Sequence, residues 1–176
     1  MSGHNKWSKI KNKKAVTDAK KSKVFSKFAK LITVESKKAK GDINSPTLKG
    51  IVEQAKGVNM PLENIQRAIK KGLSDDSVNM ETATYETYGP GGCALIIECL
   101  TDNKNRTAAE IRHILSKNNL SLAGTGSVTW SFEKDKNQWI PKTKIPLSKE
   151  DMEKTQNIID EIEESDDIQE VFTNID

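Results

Sequence analysis

Apolar side chains in the first part of the chain recur every three or four residues, the spacing that lines one side of a helix. From the start signal Thr17-Asp18 to Gly41, Val24, Phe25, Phe28, Leu31 and Ile32 fall within an arc of about 120°, the width of a core-facing stripe. Lys20, Lys23, Lys27 and Lys30 occupy a neighbouring arc of about 80° on the same helix. A second helix opens at Asn44-Ser45-Pro46, carries Leu48, Ile51, Val52 and Ala55 on one side, and stops at Gly57. A third opens at Asn59-Met60-Pro61, carries Leu62, Ile65, Ala68 and Ile69, and stops at Gly72. Three short amphipathic helices joined by tight turns predict a small three-helix bundle.

Residues 73–81 are polar and acidic and read as a linker. The period then shortens to that of strands. Thr84 to Tyr88, the turn Gly89-Pro90-Gly91-Gly92 and the apolar run Cys93 to Leu100 predict a hairpin. After the loop Asp102-Asn103-Lys104-Asn105, residues 106–118 read as a helix with Ala109, Ile111, Ile114 and Leu115 inward, and Ser127 to Phe132 alternates as a third strand. Ser148-Lys149-Glu150-Asp151 resembles a capping box ahead of a helix with Met152, Ile159 and Ile162 on one side, and Ile168 to Phe172 reads as a last strand. The expected class is α+β: a helical domain over 1–75, then over 82–176 a β-β-α-β-α-β domain, a four-stranded sheet with two helices on one face. Residues 134–146 are expected to be a short connector.

Charge sharpens this division. Residues 1–72 hold 18 of the 28 basic side chains and 5 of the 25 acidic ones, a balance of +13, whereas the remainder of the chain carries −10. Two domains with different partners follow. No apolar run approaches the ~20 residues that cross a bilayer, and no apolar signal region follows the N-terminal lysines, so a mature, cytoplasmic protein is expected, with the mitochondrial matrix as the lesser alternative. Cys93 and Cys99 fall on one side of a strand, roughly 20 Å apart, too far for a disulfide or a shared metal. They read as buried thiols.

Catalysis requires a nucleophile, an acid/base pair or a metal cage, and the two imidazoles, His4 and His113, sit in no such arrangement. No enzymatic activity, cofactor or metal is expected. The glycine turn at 89–92 admits an anion-nest reading, but no helix or P-loop lysine follows it, and a hairpin turn with positive φ accounts for it better. Lys6, Lys9, Lys11, Lys13 and Lys14, continued by Lys20, Lys21 and Lys23, put eight lysines into the first 23 residues with only Asp18 against them. Such a run repels itself unless a polyanion absorbs the charge, and nucleic acid is the expected absorber. Trp7 in its midst suits either stacking on an unpaired base or packing over the bundle. No helix carries the Arg, Asn and Gln set of a major-groove reader, so shape and phosphate are the expected targets.

Four stretches carry a family resemblance: Ser2-Gly3-His4-Asn5-Lys6-Trp7-Ser8-Lys9-Ile10-Lys11, Asn59-Met60-Pro61 with Asn64-Ile65, Tyr88-Gly89-Pro90-Gly91-Gly92, and Leu100-Thr101-Asp102-Asn103-Lys104-Asn105-Arg106-Thr107. Together they resemble the YebC/PmpR family, which includes the mitochondrial translational activator of cytochrome oxidase subunit one. The resemblance implies a regulator of gene expression, either a translation factor that acts on the ribosome at difficult stretches such as consecutive prolines, or a DNA-binding transcriptional regulator. It implies contact with rRNA or DNA through the lysine-rich start, Lys27 and Lys30 included. A second functional edge is implied at Gly89, Pro90, Gly91 and Gly92 together with Asn103 and Arg106. A monomer is expected. One departure stands out, because family members carry an inserted acidic α/β domain where this chain has only the connector after Phe132.

Overall fold

A computed structural model describes residues 18–74, 79–135 and 138–176, and the chain divides into two compact units, 1–80 and 81–176. In the first unit, helices α1 (Asp18–Lys38), α2 (Pro46–Gly57) and α3 (Leu62–Leu73) enclose a core of Val24, Phe28, Ile32, Leu48, Ala55, Met60, Ile65 and Ala68. The predicted stripes are buried in this core or packed partly buried against it, with one exception. Leu62 is 58% exposed, because it opens α3 ahead of the turns that pack into the core.

The bundle is drawn tight where α1 crosses α3. A Cβ on Gly72 would lie 2.4 Å from the Thr33 carbonyl and 2.9 Å from the Ser36 Cβ, so only glycine permits this approach. The Thr33 and Ser36 hydroxyls donate to the Ala68 and Ile69 carbonyls at 3.2 and 2.8 Å, joining the two helices. Gly41, with φ +79°, ends α1 by donating its N–H to the Ser36 carbonyl at 2.9 Å.

In the second unit, β1 (Glu81–Tyr88), β2 (Ala94–Thr101) and β5 (Ile168–Thr173) form an antiparallel sheet in the order β1-β2-β5. Helices α4 (Lys104–Lys117) and α5 (Lys149–Ile162) cover one face, where Ile97 and Cys99 meet Ile111, Leu115, Ile158 and Ile162. Beneath the other face Ala94 and Ile96 meet Val128 and Phe132, with Trp139 and Phe172 alongside. Burial from both sides explains why β2 reads as a continuous apolar run. In the helices, Ala108 rather than Ala109 is buried, and Met152 gives way to Thr155 and Ile158.

The α+β class and the paired helices hold, but among the described residues the sheet has three strands and not four. Ser127 to Phe132 does not join it. The amides of Val128 and Thr129 donate to the buried Glu86 carboxylate at 2.7 and 2.9 Å, which removes them from any ladder, and the chain turns through Thr129–Ser131. The residues expected to be a bare connector build a second strand pair instead, β3 (Phe132–Asp135) with β4 (Gln138–Pro141). Trp139 Nε1 donates to Glu98 at 2.9 Å, fastening the pair to the sheet, and Lys134 Nζ stands 4.7 Å above the same indole.

Candidate nucleic-acid interface

Helix α1 supplies the described part of the lysine cluster. Its apolar stripe faces the core, so the neighbouring arc emerges at the edge of the bundle. Lys20 and Lys21 are exposed, Lys23 and Lys30 are half-buried, and Lys27 is only 7% exposed. The expected row is therefore interrupted. Lys27 follows Val24 by three residues and adjoins Phe28, the two positions of α1 that lead into the core, and it is buried with them. Lys6, Trp7, Lys9, Lys11, Lys13 and Lys14 lie outside the described residues.

Further cations gather at the other end of α1. Because Gly72 abuts the backbone of Lys37, the last turn of α3, which carries Lys70 and Lys71, meets the last turn of α1, which carries Lys37 and Lys38. Lys38 pairs with Glu35 at 2.6 Å and Lys37 donates to Asn79 at 2.8 Å. Each lysine has a local reason to be there, since cations suit helix C-termini. Only the helix crossing reveals that two such ends coincide.

The two segments of the second expected edge stand apart from one another. Gly89–Gly92 and Asn103–Arg106 leave opposite ends of the eight-residue β2, a span of roughly 25 Å. Each has an internal role. In the turn, Gly91 and Gly92 adopt φ +65° and +75°, and a Cβ on Gly91 would lie 2.7 Å from Leu147 Cδ2, just before α5. Gly89 is buried and donates its N–H to the Cys93 carbonyl at 2.8 Å. Burial pushes the Cys93 thiol above its ordinary pKa, and Cys93 and Cys99 are both buried free thiols, as expected.

At the far end Asn103 caps α4, its Oδ1 accepting the Arg106 N–H at 3.0 Å. The Arg106 guanidinium donates to Asp167 at 2.8 Å and to Asp102 at 2.7 Å. Asp167 is buried and also accepts the hydroxyls of Thr101 and Thr107 at 3.1 and 2.9 Å. Asp167 first and Asp102 second hold Arg106 even more firmly protonated than usual. An arginine at a helix start thus has a structural partner in the carboxylate that precedes β5. Glu81, Thr101, Asp102, Asn103, Lys104 and Asn105 line an open cleft of about 360 Å³ here, mixed in charge. Among the described residues no group of His, Cys, Asp and Glu could hold a metal, and no helix is long and apolar enough to cross a membrane.

Comparison with known proteins gives consistent matches to one family. The model for the TACO1/YebC protein N-terminal domain matches residues 5–75, and that for the TACO1/YebC second and third domain matches residues 80–136 and 133–175. A protein of Desulfosudis oleivorans named "Probable transcriptional regulatory protein" is 46% identical over 99% of this chain and 72% of its own length. One of the same name from Thermoanaerobacter pseudethanolicus is 38% identical over 238 aligned positions, covering 99% of this chain and 97% of its own. Against a chain of 176 residues, 238 positions leave at least 62 of that relative without a counterpart. The second family model is matched in two stretches that overlap at 133–136, at the end of β3. A crystal structure of a conserved hypothetical protein from Aquifex aeolicus superposes with a TM-score of 0.84 at 28% identity, covering 98% of this chain and 97% of that one.

Proposed function

The chain belongs to the TACO1/YebC family, and on that premise we propose that it is a nucleic-acid-binding regulator of gene expression that works as a ribosome-associated translation factor on ribosomal RNA. The division of charge carries this reading. The +13 of residues 1–72 falls within the matched N-terminal domain, and its density requires a polyanion. Lysine contacts phosphate without reading bases, and Arg67, the one arginine of that segment, is paired with Glu63 at 2.8 Å. Such a set suits structured RNA recognised by shape, which a ribosome presents in quantity.

The names of the relatives favour a second reading, a DNA-binding transcriptional regulator. Phosphate contacts alone serve both nucleic acids. To test the shared part, the intact protein and a variant carrying Lys13→Gln, Lys14→Gln, Lys20→Gln and Lys21→Gln are titrated with structured RNA at graded salt. The variant binds more weakly to every sequence, and its log–log salt slope flattens by about 0.7 for each phosphate no longer neutralised on single-stranded stretches. An unchanged slope would remove these lysines from the interface.

A further inference from the structure

Two aromatic rings stand on the surface of the second unit with their polar atoms already committed. Trp130 is 68% exposed and Tyr88 43% exposed. Trp130 Nε1 and the Tyr88 hydroxyl both donate to one acceptor, the Ser127 carbonyl, at 2.8 and 2.6 Å. What these side chains still offer to solvent is therefore mostly aromatic carbon. The loop beneath them is held firmly. Glu86 accepts the N–H groups of Gly126, Val128 and Thr129 at 2.8, 2.7 and 2.9 Å, and Thr87 Oγ1 donates to the Ser121 carbonyl at 2.8 Å. Lys142 closes the other side, its Nζ donating to the Trp130 carbonyl at 2.9 Å and its N–H to that of Ser131 at 2.9 Å.

Charge indicates what these rings meet. Residues 121–147 carry four lysines (Lys134, Lys136, Lys142, Lys144) against Glu133 and Asp135, whereas the rest of residues 81–176 holds 6 basic and 16 acidic side chains. Trp130, and Ser127 to which Tyr88 is bonded, therefore sit in a tract of net positive charge within a unit that is acidic as a whole. We propose that Trp130 and Tyr88 form a preset platform on which unpaired bases of a single-stranded nucleic acid stack, with Lys142 beside it for the backbone. The platform rests on the nucleic-acid reading above and deepens it. The N-terminal lysines supply the bulk attraction, and the platform distinguishes open strands from paired ones, since bases within a duplex cannot offer their faces.

The test uses the full-length protein and a fluorescein-labelled single-stranded RNA, free or annealed to its complement. Trp130→Ala lowers affinity for the single strand about tenfold, the scale of removing one base–aromatic stack. Affinity for the duplex and the salt slope stay unchanged, thermal melting stays intact, and Trp130→Phe restores most of the affinity. Equal binding of both RNAs by wild type and Trp130→Ala overturns the platform and leaves this surface to a protein partner. A wild type that binds neither RNA overturns the nucleic-acid reading itself. Should Trp130→Ala fail to fold, photocrosslinking of wild type to thiouridine-substituted RNA decides: adducts at Trp130 or Tyr88 support the platform, and adducts confined to residues 1–74 refute it.

Discussion

Replacing Glu86 tests whether one buried carboxylate organises the loop over the second unit's sheet. Its side chain is 4% exposed and accepts three backbone N–H groups, from Gly126, Val128 and Thr129. Burial alone would raise its pKa, yet the amides of Gly126, Thr129 and Val128 outweigh that and hold it below the ordinary carboxylate value. In Glu86→Gln one accepting oxygen becomes an N–H₂ group facing a donor. Val128 is fully buried and cannot turn to water, while Gly126 is exposed and can. The amide therefore keeps its oxygen on Val128 and Thr129 and turns its N–H₂ towards Gly126, and losing the charge on the two retained bonds together with the third bond costs about 2 kcal/mol. With a urea m-value of about 2 kcal/mol/M, the midpoint falls by roughly 1 M at unchanged m. The sign with pH follows from a lowered folded pKa. The wild-type advantage is complete above the unfolded value of about 4.3 and fades as pH falls through the folded value beneath it. Urea melts of both proteins between neutral and acid pH read this directly. A destabilisation under about 1 kcal/mol at neutral pH, or a difference that ignores pH, would refute the reasoning.

Three further outcomes are expected. Gly92→Ala, at φ +75° in open space, costs about 1 kcal/mol by backbone strain alone, and Gly91→Ala costs more because its Cβ also displaces Leu147; paired thermal melts compare them. Asp167→Ala strips the acceptor from Thr101, Thr107 and Arg106 and destabilises by about 2–3 kcal/mol in chemical denaturation, while Arg106→Ala also lowers stability, which a residue kept only for a surface contact would not do. Expressed separately, residues 1–72 bind RNA and residues 73–176 alone do not, as gel shifts at physiological salt will show; equal binding by the acidic half would contradict the charge argument.

How much of this was legible in the sequence depended on how far apart the deciding residues lie. The helices of the first unit follow from local period and from Pro46, Gly57 and Gly72, so their core positions are correct almost throughout. Lys27 was not legible as buried, because the periodic reading assigns a lysine outward by type and overlooks its apolar stem. Ser127 to Phe132 alternates like a strand, and only Glu86, some forty residues earlier, determines that its amides are taken. Arg106 has the same history: its explanation, Asp167, lies 61 residues onward. Trp130 was not legible as exposed, because an alternating pattern places its ring beside Val128 and Phe132, whereas the tight turn at Thr129–Ser131 puts those two inside and Trp130 out.

The central claim is that the basic unit serves RNA on the ribosome, and sedimentation of the purified protein with ribosomes at physiological salt, with an equal mass of duplex DNA as competitor, tests it most directly. The protein should travel with the ribosomes, remain there when the DNA is present, and leave as salt rises. Protein that stays in the supernatant, or that DNA strips from the ribosomes, would contradict the claim and favour the transcriptional reading.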